Sequence, residues 1–99
     1  MIVVAGEIVL AAESAEAARA AAIEMGRATR KEKGCVTYRS YEDLETRGHF
    51  HVFEIWETAD ALKAHFDMPH MKTFRATLAT LKFISRDITR YEIAKTEKL

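Results

Sequence analysis

The chain alternates between short β-branched apolar runs and longer stretches of helix formers. Ile2 to Leu10 (IVVAGEIVL) is apolar except at Gly6 and Glu7, and predicts a strand buried on much of both faces. Ser14 predicts an N-cap for a helix over 15–33, with Ala18, Ala22, Met25 and Thr29 on one stripe. Gly34, after the basic residues Arg30, Lys31 and Lys33, predicts its C′ end. Cys35 to Glu42 alternates as a strand, 43–48 (DLETRG) reads as a polar hairpin loop, and His49 to Glu57 returns as the second arm. Thr58 predicts a cap for the short helix ADALKAHF, and Pro69 opens a further helical segment whose face carries Met71, Phe74, Leu78 and Leu81. Phe83 to Ala94 predicts a last strand, and 95–99 (KTEKL) a frayed charged tail.

Counting the interrupted helix as one crossover, the order βαββαβ predicts a single α+β domain over 1–99 with a ferredoxin-like, four-stranded antiparallel sheet. Right-handed crossovers place the helices on one face of such a sheet. The other face should be polar if water covers it. It is not: Phe50, Val52, Glu54 and Trp56 alternate with His49, His51, Phe53 and Ile55, so both faces of the third strand carry large apolar groups. A homodimer formed by stacking two sheets is the expected cover.

Composition narrows the function classes. Fifteen basic residues balance fifteen acidic ones, which argues against a nucleic-acid partner. No apolar run reaches the ~20 residues of a membrane span, and the start MIVVAGEIVLAAES lacks the basic region of a signal peptide. The single cysteine, Cys35, allows no internal disulfide and fits a cytoplasmic protein. Without a nearby activating group, Cys35 reads as a small buried hydrophobe.

Three blocks point to a family. They are Lys33-Gly34-Cys35-Val36-Thr37-Tyr38, Phe53-Glu54-Ile55-Trp56-Glu57, and Ala61-Leu62-Lys63-Ala64-His65 followed by Met68-Pro69-His70. Together they resemble the antibiotic biosynthesis monooxygenase domain family, which includes quinol monooxygenases and haem-degrading enzymes. The resemblance implies a dimeric α+β barrel and, in many members, oxidation of quinols or polycyclic phenols by dioxygen without metal, flavin or haem. Two branches fit poorly. The haem-degrading pattern has an asparagine where Glu7 falls and a histidine close to Arg75, and the polycyclic branch has an asparagine and a tyrosine where Val52 and Leu62 stand. The resemblance therefore implies a small quinol or similar phenolic substrate and no cofactor.

Candidate site residues follow from that chemistry. His70 and His65 are candidate general bases, because a neutral imidazole can deprotonate a phenol near neutral pH. His70, at a helix start where the dipole disfavours its charged form, is the slightly preferred base. Trp56 is expected to bind substrate by stacking, or else to be a core residue with its N–H bonded. Glu54, a second candidate substrate-binding residue on the same strand face, should otherwise be paired with an arginine or a backbone donor, or should orient a histidine. His49 and His51 share a face but lack a third ligand, so no metal site is expected. The competing expectation is a dimeric stress-response or small-ligand-binding domain that uses the same fold without chemistry.

Overall fold

The computed structural model describes residues 1–99. Its elements run β1 (Ile2–Leu10), a 3₁₀ turn (Ala12–Ser14), α1 (Ala15–Thr29), β2 (Cys35–Glu42), β3 (His49–Trp56), α2 (Ala59–Phe66), α3 (Pro69–Leu78) and β4 (Phe83–Glu92). The sheet order is β2-β3-β1-β4, with every neighbouring pair antiparallel. This is the ferredoxin-like arrangement that the element order predicts.

Register fixes the two faces. Ile2 pairs with Trp56, Val4 with Glu54 and Gly6 with Val52, so these residues share the helix-covered side. The core on that side joins Ile2, Val4, Tyr38, Val52 and Trp56 of the sheet to Met25 of α1 and Leu62 of α2. Val3 pairs with Ile55 and Ala5 with Phe53 on the opposite side. Phe53 is 39% exposed there, and Tyr41 and Tyr91 are more exposed still.

Three local expectations are corrected. Helix α1 stops at Thr29 and does not run to Lys33. Thr29 is fully buried, and its hydroxyl donates to the Met25 carbonyl at 2.7 Å, satisfying one of the helix's terminal acceptors from within. Residues 30–33 therefore form a separate turn, and Gly34 is not the C′ residue of α1. Gly34 has φ +85 and a Cβ there would meet the Ala61 Cβ at 2.5 Å, so it serves the close approach of this turn to α2. Ser14 does occupy the N-cap position of α1, but its backbone is αR and its side chain makes no cap. Its hydroxyl accepts from the Lys82 N–H instead, tying the start of α1 to the approach to β4.

Other punctuation is as expected. The Thr58 hydroxyl accepts from the Ala61 N–H at 3.1 Å, and Pro69 opens α3 at its first turn. Pro69 separates α3 from α2; α3 packs on α1, and β4 is exposed along nearly its whole length. A cleft lies between the sheet and the α2–α3 segment.

Candidate functional site

The separate turn after α1 brings Glu32 under the α2–α3 junction. Its Oε2 accepts from His65 Nδ1 at 2.7 Å and from His70 Nε2 at 2.6 Å. The Glu32 side chain is 5% exposed and that of His65 1%, so this carboxylate bridge is screened from water and correspondingly strong. A donor to Glu32 through Nδ1 leaves His65 Nε2 as the unprotonated nitrogen, and Nε2 makes no other hydrogen bond. Burial holds the His65 pKa below its ordinary value, more than the neighbouring Glu32 raises it. His65 is therefore a neutral imidazole at pH 7 with one basic lone pair.

The same three residues gather a carboxylate oxygen and two imidazole nitrogens within 4.8 Å of one another. These are suitable donors for a divalent cation. Ligands about 2.0–2.1 Å from a tetrahedral zinc stand roughly 3.3 Å apart, whereas both nitrogens here lie within hydrogen-bond distance of one oxygen. The geometry in hand is that of a hydrogen-bonded bridge.

The cleft beside His65 has a volume of about 420 Å³, sized for a small aromatic molecule. Tyr38 and Glu54 lie on its floor, Phe66, Met71 and Phe74 on its helical wall, and Ile88 on β4. Glu54 is buried, and its Oε1 accepts from the Trp56 indole N–H at 2.9 Å. Burial pushes the Glu54 pKa up to about 7, against the lowering effects of the Trp56 bond and the Arg86 charge. Burial likewise raises the Tyr38 phenol above its ordinary value. The cleft thus holds a carboxyl poised near neutrality, a neutral imidazole and a phenol that stays protonated.

The four sequence candidates separate in this frame. His65 and Glu54 line the cleft. His70 stands on the far side of Glu32, 21% exposed, and does not line it. Trp56 is completely buried and also does not line it. Its indole packs on His65 at a centroid distance of 4.9 Å and donates to Glu54. Glu54 finds its partner in an indole rather than an arginine. Glu32 had no sequence signal of its own, since within the predicted helix it was one more charged residue. His51 Nε2 lies 3.4 Å from Glu7 on the helix-free face, remote from the cleft. Cys35 is partly buried against the core, and its pKa is raised mainly by burial. A second hollow between α1 and β2, near Arg27 and Arg39, contains neither histidine.

Comparison with known proteins agrees with the fold. The family described as antibiotic biosynthesis monooxygenase matches residues 1–77. An uncharacterised Synechocystis protein, sll1783, is 34% identical over 98 residues, spanning 99% of this chain and 67% of the relative. Among solved structures, a provisionally assigned antibiotic biosynthesis monooxygenase from Deinococcus radiodurans superposes with a TM-score of 0.92 at 30% identity, covering 100% of this chain and 98% of that one. A Bacteroides thetaiotaomicron protein of unknown function, described as a possible oxidoreductase, superposes with a TM-score of 0.84 at 25% identity, covering 93% and 96%. No helix of the chain is long and apolar enough to cross a membrane.

Proposed function

Since the chain belongs to the antibiotic biosynthesis monooxygenase family, we propose that it oxidises a small quinol or similar phenol with dioxygen, using no metal, flavin or haem. The observation that carries this reading is His65, which lines an apolar cleft, bonds Glu32 through Nδ1 and makes no hydrogen bond through Nε2. A phenol hydroxyl placed against Nε2 would lose its proton to a base already neutral at pH 7. The resulting phenolate is electron-rich enough to reduce dioxygen itself. One oxygen atom joins the ring and the other leaves as water, so the quinol supplies all the electrons. Glu32 stabilises the imidazolium as it forms. Glu54, protonated for part of the time at neutral pH, can donate to an oxygen on the substrate.

His65 is the base in this scheme, and His70 supports Glu32 from behind. Trp56 fixes His65 and Glu54 rather than contacting the ring. The protein acts as a homodimer joined through its helix-free sheet faces, which supplies cover for Phe53 and Ile55. The competing reading, a ligand-binding domain without chemistry, is favoured by one observation. Glu32 already accepts two hydrogen bonds, so the bridge could serve only to hold α2 and α3.

An oxygen electrode separates the two. Oxygen consumption with a panel of reduced quinols should rise above the protein-free rate and should fall by at least about ten-fold in His65→Ala. No consumption with any quinol would leave the ligand-binding reading.

A further inference from the structure

The inner side of β4 breaks the pattern of the rest of the sheet. On β1 and β3 the helix-facing positions are almost all apolar, but on β4 Arg86 pairs with Ile8 and Arg90 with Val4, on either side of Ile88. Both guanidinium-bearing side chains line the cleft, and Arg75 of α3 lines it as well. Arg86 and Arg75 take part in no ion pair, and Arg75 donates to the Phe66 carbonyl at 3.1 Å. Arg90 lies 3.7 Å from Glu92, its exposed neighbour on the strand. The only carboxyl lining the cleft is Glu54, whose Oε1 accepts from Trp56. An apolar cleft lined by three guanidinium groups, only one of them near a carboxylate, and by one partly neutral acid carries a net positive charge.

From this we propose that the substrate of the cleft is an amphipathic anion: an aromatic ring with its hydroxyl toward His65 and a carboxylate or sulfonate toward Arg86 and Arg90. The inference rests on the quinol-oxidising reading for the hydroxyl end and on the β4 arginines for the other. Arginine suits this role because its planar fork meets a carboxylate with two parallel hydrogen bonds. The charge of Arg86 already reaches the floor of the cleft, where it opposes the rise in the Glu54 pKa. Because these arginines are on the helix side of the sheet, stacking of two helix-free faces would leave them open to a ligand. Inward-pointing charges also guard an edge strand against pairing with other chains, and the test must distinguish that role.

The experiment compares 6-hydroxy-2-naphthoate with its methyl ester by titration calorimetry, at low and at high salt. These probes match in ring and hydroxyl and differ at the carboxyl, an anion in one and a neutral, slightly larger ester in the other. The acid should bind about ten-fold more tightly than the ester at low salt, and the difference should shrink at high salt. Arg86→Gln should remove most of the preference, Arg90→Gln part of it, and Arg86→Lys should retain more than Arg86→Gln. Equal binding of acid and ester overturns the inference. So does a preference that survives both glutamine variants, or variants whose sole effect is increased self-association. The failure of the underlying reading looks different: quinol turnover is then absent while the calorimetric preference remains measurable, and equal binding alongside intact turnover sinks only the anionic end.

Discussion

Glu32 Oε2 lies 2.7 Å from His65 Nδ1, although the two residues are 33 positions apart and belong to different elements. This pairing decides which imidazole nitrogen is basic. Glu32→Gln should therefore damage turnover while leaving binding of a non-reacting phenol nearly intact. The amide can still accept from Nδ1, but it cannot stabilise an imidazolium. A fall of about 10²-fold in kcat with little change in KM is expected. Steady-state kinetics on any accepted quinol checks it, and a change confined to KM would show that Glu32 only shapes the cleft.

The acid limb of the pH–rate profile follows from His65. Burial lowers its pKa, so the active neutral form persists below about pH 6.5, the ordinary imidazole value. The apparent pKa of that limb in kcat/KM should fall below the ordinary value. In Glu32→Gln it should fall further, because the group that raises the pKa has gone while burial remains.

Glu54 makes a separate, testable contribution to stability. Its carboxyl titrates near pH 7 in the folded chain, against about 4.3 in an unfolded one. Between those values the folded state binds more protons than the unfolded state, so stability falls as pH rises, and the loss is complete above pH 7. Glu54→Gln keeps an acceptor for the Trp56 N–H and removes the buried charge. Relative to the parent, the variant should gain stability between pH 5 and 8, on the order of 2 kcal/mol. Urea unfolding at the two pH values measures this, and parallel pH dependences for the two proteins would contradict it.

Most of the fold is legible in the sequence because strand periodicity and turn residues act locally. The alternation in β3 assigns Trp56 and Glu54 to the helix side and Phe53 to the other, as the register shows. The C-terminal end of α1 was not legible, since nothing local competes with the helix formers at 30–33. The helix ends at Thr29, and the chain then turns through Gly34, whose positive φ lets it pass close to Ala61. That same tertiary event creates the place of Glu32, so the missed boundary and the missed site residue share one cause. Likewise, residue type alone gives Trp56 either a stacking or a core role, and the choice depends on how deep the end of β3 lies.

Trp56→Phe should behave as a core lesion. The ring loses volume against His65 and strips Glu54 of its donor, leaving a buried acceptor unpaired. A loss of about 2–3 kcal/mol in stability is expected, from the orphaned carboxyl and the incomplete packing together. Thermal unfolding reads this directly. If Trp56→Phe instead kept full stability and raised only KM, the indole would be contacting substrate.

The helix-free sheet face offers the last prediction. Phe53 and Ile55 are adjacent to Ala5 and Val3 across the strand pair, forming an apolar patch on the open side. A partner chain that covers this patch would bury it without disturbing the cleft, which opens on the opposite side of the sheet. Phe53→Asp places a charge in the middle of the patch, where an unpaired carboxylate cannot be buried cheaply. Light scattering at micromolar concentration should give a dimer mass for the parent and a monomer mass for Phe53→Asp, with native circular dichroism in both. Phe53→Leu, which keeps the apolar surface, should remain a dimer. A parent protein that is already monomeric at that concentration would refute the stacked-sheet assembly. A dimer that persists in Phe53→Asp would move the interface to another face.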